Sequence, residues 1–352
     1  MEFDLESRKW KEFKVKEIFS VIEKCKCSKV SELKKGTTPY VGATNRNNGQ
    51  MSFVDAPKKI TPGNCIVFIC DGQGSIGYAI YKEKDFVGST TLKVGRYNGI
   101  NRYNANFIVS ALDKNRIIYN YGYKRTENRL KNEIIYLPIN EQGKPDYVFM
   151  EQYIRYIEES KKTQYLEIAK IRLASMKKTE IVRLEEKKWK AFRVTELFDK
   201  IQRGKRLTKA NQIAGDMPYV SSTSLNNGVD NFVVYKEGMR VYSNCLSIAN
   251  SGSVGSSFYE PFKYVASDHV THLKNDKYNM YIYLFIATLT NRWSSKYNFN
   301  LEINDPRIAR EKIVLPIDDN GNPDYIYMER YIKNLMIKKY EQYLELMSTK
   351  II

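Results

Sequence analysis

Two kinds of apolar spacing alternate along this chain. Short runs with β character, among them Cys65-Ile66-Val67-Phe68-Ile69, Tyr78-Ala79-Ile80-Tyr81, Cys245-Leu246-Ser247-Ile248 and Tyr264-Val265-Ala266, are separated by Asn-Gly and Gly-Ser turns and read as strands. Between Asn279 and Thr290 the residues Met280, Tyr283, Leu284 and Ala287 recur at helical spacing, and Asn104 to Leu112 is the counterpart. From Gly143 to Glu186 the pattern changes again. Gly143-Lys144-Pro145-Asp146-Tyr147 supplies a turn in which proline sets φ and aspartate can cap. From Val148 to Glu186 the chain has neither Pro nor Gly and is rich in Glu, Lys, Ile, Leu, Met and Tyr. That composition predicts one helix from about Val148 to Arg183, on the order of 50 Å long at ~1.5 Å per residue.

The pattern occurs twice. Leu137-Pro138-Ile139, the Gly143 turn, Met150-Glu151 and Tyr153-Ile154 return as Leu315-Pro316-Ile317, Gly321-Asn322-Pro323-Asp324-Tyr325, Met328-Glu329 and Tyr331-Ile332, each 178 residues on. Lys9-Trp10-Lys11 with Phe13 and Val15 returns as Lys188-Trp189-Lys190 with Phe192 and Val194 at an offset of 179. Pro39-Tyr40-Val41 and Asn47-Asn48-Gly49 keep that offset, whereas Gly74-Ser75-Ile76-Gly77 matches Gly252-Ser253-Val254-Gly255 at 178. A collinear match of this extent is a duplication. The fold class predicted is α+β: two tandem modules (1–146 and 187–324) separated by long helices (147–186 and 325–352). Ile154, Ile157, Lys161, Gln164, Ile168 and Ile171 alternate by three and four, as do Ile332, Leu335, Lys339, Gln342 and Leu346. This imperfect heptad predicts an antiparallel coiled coil with the modules at opposite ends.

Composition narrows the function. At 352 residues and 42% apolar content the chain can bury two cores. It has no long unbroken apolar run, and the polar, acidic start Met1-Glu2-Phe3-Asp4-Leu5-Glu6 does not read as a signal peptide. Five cysteines without framework spacing suit a reduced, cytoplasmic protein with no membrane role. Net charge is +17, from 57 Lys+Arg against 40 Asp+Glu. The excess favours a polyanionic partner, nucleic acid ahead of an acidic membrane. A Lys-rich codon bias explains it less well, because the same bias encodes Glu.

Candidate DNA-binding residues in the first module are Lys34, Lys35, Asn45, Arg46, Lys58, Lys59, Lys124, Arg125, Asn128 and Arg129. In the second they are Arg203, Lys205, Arg206, Lys209, Ser222, Ser224, Arg292, Lys296 and Asn298. Arg and Asn suit bidentate contacts to guanine and adenine, Lys and Ser suit phosphates, and Tyr121, Tyr123 and Tyr297 could stack. Asn-Asn-Gly is shared by both repeats and therefore reads as a turn. If the two modules meet different sequences, residues that differ between the repeats are the better candidates for base reading: Asn45-Arg46 against Ser224-Leu225, and Arg125 and Arg129 against Asn300 to Arg307.

No catalytic or metal-binding residues are assigned. Pro145-Asp146 with Glu159-Ser160-Lys161 imitates a nuclease signature, but Ile337 stands where the second copy would need Glu159. Asn322-Pro323-Asp324-Tyr325 looks like an amino-methyltransferase motif, yet Lys144 replaces Asn322 in the first copy and no glycine-rich cofactor loop follows a strand. His269 and His272, read as strand residues, point to opposite faces, and Cys25-x-Cys27 lacks a second pair.

The ordered pattern Trp10-x-x-Phe13-x-Val15-x-x-Ile18-Phe19, Pro-Tyr-Val, Asn-Asn-Gly, Gly-Ser-x-Gly, Leu-Pro-Ile and Gly-x-Pro-Asp-Tyr before a helix, present in duplicate over residues 8–352, resembles the DNA-specificity (S) subunit of type I restriction–modification systems. It is equally similar to the specificity subunits of BcgI-like type IIB enzymes. The resemblance implies two target-recognition domains, each reading half of a split, asymmetric sequence in double-stranded DNA. It implies a coiled coil that spaces the half-sites and docks two methylation (M) subunits, with nuclease/translocase (R) subunits or a fused nuclease completing the complex. Such a subunit is non-catalytic, and S-adenosylmethionine, Mg²⁺ and ATP would belong to its partners. The different-class alternative is a protein-interaction scaffold or regulator on the same duplicated fold. Because the second helix is the shorter, N-terminal residues are expected to supply contacts that close the repeat.

Overall fold

The computed structural model describes residues 3–27, 30–72, 74–298 and 300–349 and falls into two compact units, Met1–Tyr165 and Leu166–Ile352. In the first, β1 (Trp10–Lys14) leads through α1 (Val15–Ile18) to β2 (Val21–Lys24), β3 (Lys34–Val41), β4 (Gln50–Asp55) and β5 (Ile60–Thr61). Then come β6 (Cys65–Ile69), β7 (Ala79–Lys82), β8 (Phe86–Gly88), β9 (Leu92–Arg96), α2 (Arg102–Asp113), α3 (Glu127–Asn132), β10 (Ile134–Pro138) and the long α4 (Tyr147–Ala174). The sheets are β1-β10, β2-β9-β6-β7 and β4-β3-β8-β5, antiparallel except for β3 beside β8. Because β6 has strands on both edges and both faces covered, every residue of Cys65–Ile69 is buried, which is why that run is unbroken apolar. By contrast β1 buries only Phe13. The Asn101 side chain caps α2 by accepting from the Tyr103 and Asn104 amides. Ala105, Ile108 and Leu112 then face Phe68, Leu137 and Met150 in one core.

The second unit repeats this order: β11 (Trp189–Arg193), α5 (Val194–Leu197), β12 (Lys200–Arg203), β13 (Ala214–Val220), β14 (Val229–Val233), β15 (Val241–Tyr242) and β16 (Cys245–Ala249). It continues with β17 (Ser257–Glu260), β18 (Tyr264–Ala266), β19 (Val270–Lys274), α6 (Met280–Thr290), α7 (Asp305–Arg310), β20 (Lys312–Pro316) and α8 (Tyr325–Thr349). Its sheets, β11-β20, β12-β19-β16-β17 and β14-β13-β18-β15, have the same connectivity. Even the irregularities recur: β3 slips register between Lys35 and Thr38, and β13 between Ala214 and Met217. Asn47, Asn48 and Gly49 are all left-handed (φ 48°, 51° and 75°), as are Asn226, Asn227 and Gly228 (48°, 52° and 82°). Asn and Gly tolerate that region, so the shared triplet is a turn.

Each long helix starts on its own module. Asp146 and Asp324 cap α4 and α8 through the amides of Phe149 and Tyr327 (3.0 and 2.9 Å). Asn101 and Asn279 donate to Glu151 and Glu329 (2.7 and 2.6 Å), and Met150 and Met328 are buried in the respective cores. The central helix is shorter than expected: α4 ends at Ala174, not near Arg183. Beyond it the chain is held by α8. Asn334 accepts from the Thr179 amide (3.0 Å) and donates to the Thr179 carbonyl (2.6 Å), and the Tyr327 hydroxyl donates to the Val182 carbonyl (3.0 Å). With Arg172 donating to the Tyr340 hydroxyl (3.3 Å), residues 172 to 182 run antiparallel to α8. The expected apolar stripe is off register, since Ile168, Ile171, Leu335 and Leu346 are exposed while Ile337 and Tyr340 are buried. On α4, Phe3 packs its ring against Phe149 and Tyr156, and the Arg8 guanidinium lies 4.1 Å from the centre of the Phe149 ring. Lys187 likewise covers Tyr327 and pairs with Asp324 (2.6 Å). The leading segment of each module thus straps that module's helix. Among the described residues no helix is long and apolar enough to cross a membrane.

Candidate nucleic-acid interface

In the first module Lys34 and Lys35 are exposed on β3, and Lys58 and the half-buried Lys59 sit in the turn before β5, so four lysines belong to the β4-β3-β8-β5 sheet or its turns. The remaining candidates form a rim of loops. Asn45 and Arg46 are exposed after β3, where Ser75 accepts from the Asn45 amide (3.3 Å) and ties that loop to the Gly-Ser turn. Asp71, in the same turn, pairs with Lys124 (2.7 Å), which holds the Asp71 carboxyl below its usual range. Arg129 donates to the Lys124 carbonyl (2.9 Å) and lies 3.6 Å from the Tyr123 ring centre, while Asn128 and Tyr121 are exposed. The segment at 43–46, the turn positions Asp71 and Ser75, and the stretch from Tyr121 to Arg129 that enters α3 are therefore joined into one polar, aromatic edge.

Arg125 is not part of it. It is fully buried, with Nε and Nη2 donating to Glu133 (2.8 and 2.9 Å) and Nη1 to the Gly77 and Tyr78 carbonyls. A guanidinium with these bonds filled cannot read a base; it anchors the rim from beneath. Tyr297 is corrected for the same reason: it is buried and donates to Glu311, as Tyr119 does to Glu133.

In the second module Lys205, Arg206 and Lys209 are exposed, and Ser222 accepts through its carbonyl from the Ser253 amide (2.9 Å), mirroring the Asn45–Ser75 tie. Ser224 and Asn298 are exposed. Arg203 is half-buried, pairs with Asp305 (2.5 Å) and donates to the Ile303 carbonyl, so it holds α7 in place. Lys296 is exposed but paired with Glu311 (2.5 Å). Arg292 lies at the end of α6 beside Trp189 and Tyr331. Sequence reading missed Lys236 and Arg240, which with Lys205 and Arg206 surround a cavity of about 240 Å³ floored by Leu207 and Val265. Lys236 and Arg240 flank the turn Lys236–Met239, which repeats the lysine-bearing turn Ala56–Lys59, the Met239 amide donating to the Lys236 carbonyl as Lys59 does to Ala56.

The chemistry-bearing residues set aside earlier have structural partners. His269 lies in a turn rather than a strand and bonds Ser251 (2.8 Å). His272 is buried in β19 against Tyr264 (2.6 Å), and burial lowers its pKa to about 3. Glu260, which accepts from Ser247 (2.9 Å), is pushed up to about 7 by burial. Glu159 pairs with Lys162 (2.5 Å), and Cys25 and Cys27 are buried free thiols.

A family model described as the type I restriction modification DNA specificity domain matches residues 7–170 and again 186–346. The chain is 27% identical over 342 residues to the specificity subunit of the type II restriction enzyme BcgI from Heyndrickxia coagulans, covering 93% of this chain and 94% of that protein. Among solved structures, the type I restriction–modification S subunit from M. genitalium covers 99% of this chain and 94% of its own, at 15% identity and a TM-score of 0.44. The HsdS subunit from Thermoanaerobacter tengcongensis covers 97% and 90%, at 13% identity and a TM-score of 0.32. Specificity subunits are generally non-catalytic and assemble with methylation and restriction subunits on DNA. Matched in both of its halves, the chain belongs to the type I restriction–modification DNA specificity family and serves DNA sequence recognition in a restriction–modification system.

Proposed function

We propose that each module reads one half of a bipartite, asymmetric DNA sequence, and that the chain performs no chemistry itself but brings methyltransferase and nuclease subunits to that site. One observation carries this reading: the same fold occurs twice with differing rims, Asn45-Arg46 facing Ser224-Leu225 in the alignment. Residues 1–146 and 187–324 would be the reading modules, and 147–186 and 325–352 the spacer, helical over 147–174 and 325–349. Lys34, Lys35, Lys58, Lys59, Lys205, Arg206 and Lys209 would meet phosphates, and Asn45, Arg46, Asn128, Arg129, Ser224 and Asn298 would approach base edges. Two methylation subunits would bind the two repeats, and S-adenosylmethionine, Mg²⁺ and ATP would act on the partner chains.

Selection from random DNA tests the proposal. The wild-type complex should enrich two short motifs at a fixed gap, and inserting about one helical turn at Ser160 should change the gap while leaving both motifs unchanged. Enrichment of one continuous motif, or an unchanged gap, would contradict it. Affinity should also fall linearly on a log–log plot against salt, because Lys and Arg release phosphate counterions.

A further inference from the structure

Each repeat leaves an apolar groove open where its leading segment, its α2 or α6 helix and the base of its long helix meet. In the first unit Leu5, Trp10, Phe107, Tyr153 and Ile154 are among the walls of a cavity of about 630 Å³. In the second, Leu184, Trp189, Phe285, Tyr331 and Ile332 enclose one of about 460 Å³. These five walls correspond one to one in the repeat. Each Trp already has an internal role: Trp10 stacks on Phe107 and donates to the Leu5 carbonyl (3.0 Å), and Trp189 stacks on Phe285 and donates to the Leu184 carbonyl (3.1 Å). Even so, Trp10 remains 39% exposed and Trp189 36%, with Tyr136 or Val314 exposed beside them. An apolar hollow kept open at the same place twice is a recognition feature rather than a packing lapse.

The lips of both grooves are basic. Lys114 borders the first and Arg292, at the equivalent position, the second; both are exposed and neither is ion-paired among the described residues. The rims described above differ between the modules, as surfaces that read different half-sites must. The grooves agree, as surfaces that meet the same molecule twice must. An internal repeat presents two like sites, so two copies of one chain can bind two non-identical modules. Apolar walls do not suit a phosphate backbone, and a single basic lip suits one carboxylate.

We infer that each groove seats the same segment of a methyltransferase chain, one copy per groove. The segment is apolar and ends in an acidic side chain that meets Lys114 in one repeat and Arg292 in the other. The inference rests on the reading of the chain as a restriction–modification specificity subunit, and it moves Arg292 from the DNA-contacting set to this one.

The test uses the full chain with the methyltransferase of its own system and two exposed groove positions, Ser110→Glu and Thr288→Glu. Each glutamate sits one turn before the basic lip, so it stays compatible with the helix, neutralises the lip and places charge in the hollow. Native mass spectrometry should show two methyltransferase copies on the wild type, one on either single variant, and none on the double variant at concentrations tenfold above the wild-type Kd. Binding of the isolated double variant to DNA should match the wild type, which shows that the modules still fold. Two copies retained by the double variant would overturn the inference and leave the specificity reading standing. Self-association of the wild-type chain that the double variant abolishes would also overturn it, making a second copy of this chain the occupant. A wild type that captures no methyltransferase and enriches no DNA motif would instead bring down the specificity reading itself.

Discussion

In the first module Glu133 is met from inside, by Arg125 buried beneath Phe68; in the second the equivalent Glu311 is met from outside, by the exposed Lys296 and by Tyr297. Both glutamates do the same backbone work, their carbonyls accepting from Val15 and Val194 (2.9 Å each). The position of Arg125 is taken by Ile303, fully buried, so one repeat filled it with a charge and the other with hydrocarbon. A second divergence lies in the middle of the sheets. Val67 and Val94 pair in the first module where Ser247 and His272 pair in the second, and Lys82 stands opposite Cys65 where Glu260 stands opposite Cys245. The helix bases, caps, turns and grooves did not diverge. The shared parts carry the architecture, and variation falls in the loops proposed to meet DNA and in the polar groups that brace them.

The largest expected effect separates the two glutamate sites. Arg125→Ala leaves a buried carboxylate without its partner and should destabilise the first module by about 3–5 kcal/mol. Lys296→Ala removes an exposed partner and should cost the second module no more than about 1 kcal/mol. Hydrogen exchange, which follows each module separately, checks both; equal costs would erase the contrast.

Next in size is a pH dependence confined to the second module. The folded pKa of Glu260 is raised from 4.5 to about 7, so its contribution to stability is fully present below 4.5 and is lost as pH rises through 7. His272 works in the opposite sense: lowered from 6.5 to about 3, it contributes fully above 6.5 and that stability is lost as pH falls toward 3. The two oppose each other between 4.5 and 6.5. The second module should therefore weaken below that window and again on the way to pH 8. Glu260→Gln should remove the alkaline decline and stabilise the second module at pH 8 by on the order of 2–3 kcal/mol. The first module, with Lys82 and Val94 in these places, should show neither decline in the same melting series. An unaffected alkaline limb in the variant would refute the assignment to Glu260.

The smallest effect tests the likeness. Asn101→Ala and Asn279→Ala remove matching caps and should each cost about 1 kcal/mol, equally in the two modules. Unequal costs would show that the helix bases are less alike than their hydrogen bonds indicate.

Much of this architecture is legible in the residues alone. The duplication, the α+β modules, the capping aspartates and the Asn-Asn-Gly turns come from local chemistry repeated at a fixed offset. The end of α4 was not legible, because Ser175 to Arg183 contains no breaker; the Asn334 side chain and the Tyr327 hydroxyl claim the Thr179 and Val182 backbone instead, and tertiary bonding overrides propensity. Arg125 sits between Lys124 and Arg129 and so looked like part of a basic surface; only the fold shows that Glu133 turns back beneath it. The helix stripe was misplaced because Ile154 and Ile332 pack on their own modules, which a heptad count along an isolated helix does not reveal.

The central claim, one half-site per module, is tested most directly by replacing residues 187–323 with a second copy of residues 8–145 and mapping methylated bases across the genome of a host that carries this chain and its methyltransferase. The wild type should mark a split, asymmetric motif that vanishes when the chain is deleted. The chain with two first modules should mark an inverted repeat of one of the two halves. An unchanged motif after the exchange, or methylation that persists without the chain, would contradict the account.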